Sequence, residues 1–181
     1  MIPLKPLKPK RLKHCLSVAG LCSELALVYG YDPMKAAMCG LYHDVAREIP
    51  KTEMLTLAKE RHIPIGKEEQ AEPLLLHGAL AACAMAENYD IHDEELLNAV
   101  RRHTVGNAEM TLIDKILFFA DKTEPLRTYE GVTELRELGF TDLDKALYQA
   151  VLNEIDYCGE MGYPVHPDTL KMKQNLKRQR S

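Results

Sequence analysis

Residues 11–30 decide the fold class, and they read RLKHCLSVAGLCSELALVYG. Apolar residues recur here at intervals of three and four, which is the spacing of neighbours on one face of a helix. One stripe consists of Leu12, Cys15, Ala19, Cys22, Ala26 and Tyr29, and the other of His14, Val18, Leu21 and Leu25. The stretch therefore predicts a long amphipathic helix that ends at Gly30 and carries a histidine in an apolar stripe.

The same helical spacing recurs along the chain, interrupted by proline, glycine and capping residues. Asp32-Pro33 predicts the start of a helix that contains His43-Asp44 and runs to Pro50, and Thr52 predicts the cap of a short helix. Further helices are expected over 73–87, from Asp93 to about 103, from a Thr111/Asp114 capping box to 121, near 133–137, over 142–157 and after Pro167. Without sustained strand-type alternation, the chain is predicted to be all-α, a single-domain helical bundle of 181 residues.

Charge is distributed unevenly along the chain. Residues 1–13 and 171–181 carry five Lys or Arg residues each and no acid, which leaves 13 basic against 27 acidic residues between them. The excess of acidic residues between the two ends argues against nucleic acid as a partner. A phosphate substrate bound in this part of the chain would need a cation to offset the negative electrostatic potential locally. We expect a basic proline-rich arm over 1–10, one domain over 11–170, and a basic helix end or tail over 171–181.

The cysteines and the apolar runs indicate the cellular compartment of the protein. The five cysteines include no Cys-x-x-Cys pair, and the N-terminus does not resemble a secretory signal. No apolar run approaches the roughly 20 residues of a membrane helix. We therefore expect a cytoplasmic protein with no membrane partner, whose cysteines act as small buried hydrophobes.

Six polar residues lie within or at the end of separate apolar helices: His14, His43, Asp44, His77, His103 and Asp121. One histidine in a helix is usually a surface or hydrogen-bonded core residue. The indication of a functional site therefore comes from the six residues taken together, in their order along the chain. Ionisable groups on apolar faces need partners, and a shared metal ion would serve them all. Mixed imidazole and carboxylate donors suit iron, manganese, zinc or cobalt, and the absence of clustered cysteines favours a catalytic over a structural site.

Seven segments of the chain resemble the HD-domain superfamily, and more closely the YqeK family of bacterial HD hydrolases. The resemblance runs from Arg11 to about Asn175. The segments are Arg-Leu-Lys-His (11–14), Tyr-His-Asp-Val-Ala-Arg-Glu-Ile-Pro (42–50), Leu-Leu-His-Gly (75–78), Arg-His-Thr-Val-Gly (102–106), Met-Thr-Leu-Ile-Asp-Lys-Ile (110–116), Ala-Asp-Lys-Thr-Glu-Pro-Leu-Arg (120–127) and Val-His-Pro-Asp-Thr (165–169).

The resemblance implies that residues 11–170 form an HD hydrolase domain that cleaves diadenosine tetraphosphate and related dinucleoside polyphosphates. Cleavage would be symmetrical, by metal-activated water, and would give two nucleoside diphosphates. By the family pattern, the ligands of an iron-type ion would be His14, His43, Asp44 and Asp121, with Asp44 also counted as catalytic; manganese, cobalt or zinc are the alternatives.

A second group of residues is expected to handle the phosphates. His77 and His103 either contact and protonate phosphate oxygens, which we favour, or bind a second metal. Family positions near the nucleotide are matched by Arg11, Arg47, Thr104 and Arg127. His166 and Asp168 would close the pocket, although Pro167-Asp168 could equally start a helix. Arg102, where the family often has tyrosine, is expected to alter base or phosphate preference.

Two other functions stay open at this point. One is an HD phosphatase of nucleoside monophosphates or guanosine alarmones. The other is a non-catalytic nucleotide- or RNA-binding module that uses the basic ends. A homodimer is a further possibility that the sequence does not decide.

Overall fold

The structure is a computed structural model that describes residues 1–179, and this part of the chain contains ten α-helices and no strand. The helices are α1 (Pro9–Tyr29), α2 (Pro33–Tyr42), α3 (Lys51–Glu60), α4 (Lys67–Ala71), α5 (His77–Tyr89), α6 (Glu94–Arg102), α7 (Leu112–Thr123), α8 (Val132–Gly139), α9 (Leu143–Met161) and α10 (Pro167–Gln179). A 3₁₀ turn over Pro73–Leu76 leads into α5. The predicted all-α fold is confirmed. Positions 180 and 181 of the predicted basic tail lie outside the described residues.

Helix ends that depend on local chemistry fall where the sequence predicts them. Gly30 ends α1 in the left-handed region at φ 71°. Asp32 and Asp93 cap α2 and α6 by accepting hydrogen bonds from backbone N–H groups of the first turn. At α7 the Thr111 hydroxyl accepts the Asp114 N–H, and the Asp114 carboxylate accepts the Thr111 N–H in return. These bonds satisfy N–H groups that the helix itself cannot.

Two other predicted boundaries are wrong. The helix containing His43-Asp44 does not run to Pro50, because α2 ends at Tyr42 and residues 43–48 form successive turns. Thr52 does not cap α3, because the Pro50 carbonyl accepts the first helical N–H bonds and α3 begins at Lys51. The five-residue helix α4 is too short for periodicity to predict.

The core is built around α7, on which Ile113, Ile116, Leu117, Phe118 and Phe119 are fully buried. α1 and α2 both pack against it. α1 and α2 come unusually close at Gly40, where a Cβ would lie 2.6 Å from the Cα of Ala19. This contact brings the His14 end of α1 next to the end of α2.

α1 is long and apolar enough, by length and composition, to cross a membrane, with a hydropathy of 1.2 over its best window. The expectation that no segment reaches this length is therefore wrong. Its inner face, which includes Val18, Leu21, Cys22 and Leu25, is nevertheless buried in the core. That packing is typical of the central helix of a globular domain.

Both basic ends of the chain are attached to the body. Ile2 is buried, its N–H donates to Asn88 Oδ1, and its carbonyl accepts from Asn88 Nδ2. At the other end, Met172 and Leu176 of α10 are buried. The boundary predicted at 170/171 falls inside α10.

Candidate metal centre

The six polar residues that the sequence groups together come from five different helices or their ends. His14 lies on α1, His43 and Asp44 directly follow α2, His77 begins α5, His103 follows α6, and Asp121 lies in the last turn of α7. All but the half-buried Asp121 are buried, and His43 is completely inaccessible. His43 keeps a right-handed helical backbone and donates its N–H to the Cys39 carbonyl, and the chain then continues from Asp44 in successive turns.

Four of these side chains lie close together, and a ligand atom from each of His14, His43 and Asp121 lies within 4.8 Å of the other two. Nε2 of His14 lies 3.0 Å from Asp121 Oδ1 and 4.0 Å from Asp44 Oδ2. Nε2 of His43 lies 3.7 Å from Asp121 Oδ1 and 3.5 Å from Asp44 Oδ2. Atoms bound at about 2.0–2.2 Å to a shared ion lie roughly 3–4 Å from one another. Both Nε2 atoms are buried without a hydrogen-bond partner among the described residues, as ligands to a cation would be.

The remaining two histidines approach the other oxygen of Asp44. Nε2 of His77 lies 3.0 Å from Asp44 Oδ1, and Nε2 of His103 lies 3.9 Å from it. The two Nε2 atoms are 3.1 Å apart. Asp44 thus directs one oxygen toward each half of the cluster, and a ligand atom from each of Asp44, His77 and His103 lies within 4.8 Å of the other two.

Backbone carbonyls fix the orientation of three of the imidazole rings. Nδ1 of His43, His77 and His103 lies 2.6–2.7 Å from the carbonyl oxygen of the residue three positions earlier. Each Nδ1 therefore donates a proton outward, which leaves Nε2 facing the centre of the cluster. A metal-binding histidine ordinarily has this second hydrogen bond.

The electrostatics of the cluster favour a cation. Burial alone would raise the pKa of Asp44, but the neighbouring His43 and His77 outweigh it and hold the pKa well below its ordinary value. Burial likewise opposes the ionisation of Asp121, and His14 and Lys122 reverse that effect, so its pKa is also low. Burial together with the neighbouring His77 lowers the pKa of His103 to about 3. Two ionised carboxylates thus face the imidazole nitrogens of the cluster, and the ring of His103 is neutral.

Basic and hydroxyl groups border the cluster. Arg11 Nη1 donates to Asp44 Oδ2 at 2.8 Å, and Arg127 donates to the Asp121 carbonyl at 2.8 Å and to its Oδ1 at 3.3 Å. Thr104 Oγ1 lies 3.4 Å from Nε2 of His77 and 3.4 Å from Nε2 of His103. Arg47 Nη1 lies 3.4 Å from His77 Nδ1, although that nitrogen already donates to the Leu74 carbonyl.

His166 and Asp168 lie apart from the cluster. His166 Nε2 is paired with Glu69 Oε1 at 3.2 Å, and its Nδ1 accepts the Asp168 N–H at 3.2 Å. Asp168 pairs in turn with Lys171. These contacts join α4 to the start of α10. Because both His166 nitrogens are occupied, the nearby group of Glu68, Glu69 and His166 is a poor metal site.

Arg102 also lies elsewhere. Its guanidinium donates to Asp114 at 3.1 Å, at the opposite end of α7 from Asp121. The expectation that Arg102 alters base or phosphate preference is therefore not supported, since the side chain belongs to the start of α7.

Cys15 behaves as the sequence predicts, although it lies beside the cluster. Its sulfur is near His43 and Asp44. Burial, reinforced by the Asp44 charge, raises the pKa of the Cys15 thiol to about 12. It is thus a neutral buried thiol, like Cys22 and Cys39, which are also free and buried.

Glu124 is a polar residue of the site that the sequence interpretation missed. It is 2% exposed, and its Oε1 lies 3.1 Å from His14 Nδ1. Glu124 directly follows α7, and its backbone is no longer helical (φ −55°, ψ 153°). Helical spacing therefore does not predict that its side chain faces His14.

Comparison with known protein families identifies the family of the chain. The HD domain model matches residues 11–126. The chain belongs to the HD-domain family. This confirms the fold and the superfamily that the seven sequence segments indicate.

Two relatives of this HD-domain chain carry the same activity in their names. The symmetrical bis(5'-nucleosyl)-tetraphosphatase of Halalkalibacterium halodurans is 36% identical over 96% of this chain and 92% of its own length. The Bacillus subtilis protein of the same name is 35% identical over 88% of this chain and 85% of its own length. These relatives confirm the expected resemblance to the YqeK group.

A solved HD-domain structure has the same architecture. The Clostridium acetobutylicum protein, described as an HD superfamily hydrolase involved in NAD metabolism, superposes with a TM-score of 0.92 at 34% identity. The superposition covers 96% of this chain and 92% of that one. The helical arrangement around the cluster is therefore that of the HD fold.

Proposed function

We propose that this HD-domain chain is a metal-dependent phosphohydrolase that cleaves diadenosine tetraphosphate and related dinucleoside polyphosphates symmetrically. One observation carries the proposal: the Nε2 atoms of His14 and His43 are buried without hydrogen-bond partners and face two ionised carboxylates. The names of the relatives supply the substrate class. The product would be two nucleoside diphosphates.

The ligands of the ion would be His14, His43, Asp44 and Asp121. Two nitrogens and two carboxylate oxygens form a donor set for a borderline divalent cation, and we propose iron, with manganese, cobalt or zinc as alternatives. When bound, such an ion makes water more acidic and neutralises charge on phosphoryl oxygens. The protein's part is to hold the four donors rigidly and to exclude bulk water from a site whose histidines are buried.

His77 and His103 would handle a proton. Both Nδ1 atoms donate to carbonyls, so two neutral rings would direct lone pairs at each other across 3.1 Å. A proton between the two Nε2 atoms relieves that repulsion, and the low pKa of His103 disfavours placing the proton on that ring. Asp44 Oδ1, 3.0 Å from His77 Nε2, stabilises a proton at that nitrogen. From that atom a proton can pass to the departing diphosphate oxygen.

A second ion is the alternative role for the same pair. Asp44, His77 and His103 offer three donor atoms close enough for one. We favour the proton role, because a shared proton already satisfies all three groups.

The basic residues at the border would bind the substrate phosphates. Arg11 and Arg127 are half-exposed and contact the ligand carboxylates, so they can also reach an anion placed on the ion. Planar guanidinium groups grip phosphate with paired hydrogen bonds. We assign Arg47 and Thr104 to the same role, and His166 and Asp168 to the outer rim of the pocket.

Free nucleotides in the cytoplasm, and not nucleic acid, would be the natural substrates. The five cysteines are all free, which suits a reducing compartment. The homodimer stays a prediction, which size-exclusion chromatography with light scattering tests.

A nucleotide panel tests the proposed function. The metal-loaded protein is incubated with diadenosine tetraphosphate, nucleoside monophosphates, a guanosine alarmone and NAD⁺, and products are separated by ion-exchange chromatography. NAD⁺ belongs in the panel because of the description of the Clostridium structure. We expect ADP as the product of diadenosine tetraphosphate. Phosphate released from a monophosphate, AMP with ATP from the tetraphosphate, or faster turnover of NAD⁺ would each contradict the assignment.

A further inference from the structure

His14 differs from the other three cluster histidines in what holds its ring. His43, His77 and His103 donate their Nδ1–H to neutral backbone carbonyls. His14 instead directs Nδ1 at the carboxylate of Glu124, with Oε1 3.1 Å away and 110 residues distant in sequence. The site therefore contains one charged hydrogen-bond acceptor behind a metal-binding imidazole.

Glu124 is itself held rigidly. Its Oε2 accepts the Leu126 N–H at 2.7 Å, its Oε1 lies 3.7 Å from Arg127 Nε, and its backbone carbonyl accepts from Arg136 Nη2 at 3.2 Å. A fixed carboxylate thus faces the back of His14.

A carboxylate in this position changes the ligand, not merely the packing. It attracts the Nδ1 proton, which raises the electron density at Nε2, and it fixes both tautomer and ring orientation. Its negative charge also acts on a cation bound at Nε2. We propose that Glu124 is a positioning residue that sets the affinity of the site for its divalent cation through His14. The inference rests on the metal site proposed above.

The charge of Glu124 is what the test must isolate. Glu124→Gln keeps the size of the side chain and loses the charge, whereas Glu124→Asp keeps the charge on a shorter side chain. Mn²⁺ affinity is measured by equilibrium dialysis on protein stripped with chelator, without substrate. We expect Glu124→Gln to bind Mn²⁺ about 10–100-fold more weakly and Glu124→Asp to recover part of the loss.

Asp114→Asn is the matched control. Asp114 is also buried and also accepts a backbone N–H at an end of α7, but it pairs with Arg102 and lies away from the cluster. It should lower the free energy of unfolding of the metal-free protein and leave Mn²⁺ affinity unchanged. If Glu124→Gln behaves like Asp114→Asn, Glu124 is a structural cap and the inference is overturned.

Combination with His14→Ala decides whether Glu124 acts through His14. The Glu124→Gln change should weaken Mn²⁺ binding much less in the His14→Ala background than in the natural protein, because coupled residues are not additive. An equal loss in both backgrounds would overturn the proposed route. A natural protein that does not bind Mn²⁺ would overturn the metal site itself and this inference with it, whereas normal binding by Glu124→Gln would overturn the inference alone.

Discussion

Gly40→Ala tests whether the close approach of α1 and α2 builds the site. A Cβ at this position would lie 2.6 Å from both Cα and N of Ala19 and 2.9 Å from the carbonyl carbon of Val18. Ordinary contacts begin at 3.4 Å, so the two helices must separate by roughly 1 Å. Backbone atoms cannot rotate away as a flexible side chain can.

The expected loss of stability follows from two opposing effects. Overpacking costs about 1–3 kcal/mol, and backbone partners place Gly40 at the upper end of that range. Alanine gains about 1 kcal/mol over glycine in helix propensity. We expect a net loss of about 2 kcal/mol in the free energy of unfolding, measured by urea denaturation of the metal-free protein.

Gly20→Ala is the matched control on α1. A Cβ there meets no atom within 4 Å, so only the propensity gain of up to about 1 kcal/mol applies, and this variant should be more stable than the natural protein. Gly40→Ala should also weaken Mn²⁺ binding at least tenfold, because His14 and His43, with ring centroids 5.3 Å apart, lie on either side of this contact. If Gly40→Ala is as stable as Gly20→Ala and binds Mn²⁺ normally, the account of the α1/α2 contact is wrong.

Three further predictions concern catalysis, substrate binding and stability. His103→Ala should keep the metal content of the natural protein and lose at least about tenfold in kcat, because the acceptor of the His77 proton is gone; loss of metal would favour the second-ion role. Arg127→Lys should raise KM more than it lowers kcat, since lysine cannot grip phosphate with paired bonds, and an unchanged KM would remove Arg127 from the phosphate site. Asp93→Ala should cost about 1 kcal/mol at pH 7 through loss of the α6 cap. The hydrogen bond from Lys35 depresses the pKa of Asp93, so this stabilisation is present above the unfolded value near 4 and is lost as pH falls through the lower folded value. A gap between Asp93→Ala and the natural protein that stays constant in urea titrations down to pH 2.5 would contradict the cap's charge dependence.

The parts of the fold that depend on neighbours in sequence could be predicted from the sequence. Asp32, Asp93 and the Thr111/Asp114 pair end up as caps because their hydrogen bonds span two or three residues. Apolar periodicity identified α1 and α7 for the same reason. The end of α2 could not be predicted. The sequence of residues 43–48 continues the helical pattern, but in the structure these residues form turns.

The site itself was only partly visible in the sequence. The six residues of the cluster could be named because each is an ionisable group in an apolar helix, and the structure brings all of them together. Glu124 was missed because its partner, His14, is 110 residues away. Arg102 was expected to affect base or phosphate preference because it replaces the family's usual tyrosine, and its guanidinium pairs with Asp114. Long-range pairing of this kind leaves no periodic signal.

Metal content of Asp44→Ala measured against His103→Ala tests the central claim most directly. Asp44 faces both halves of the cluster, whereas Nε2 of His103 lies near Asp44 Oδ1, His77 and Thr104. Both variants are purified alongside the natural protein, and metal per chain is determined by elemental analysis. We predict that Asp44→Ala loses the ion and His103→Ala retains it. An Asp44→Ala protein with the full metal content of the natural chain would contradict the site described here.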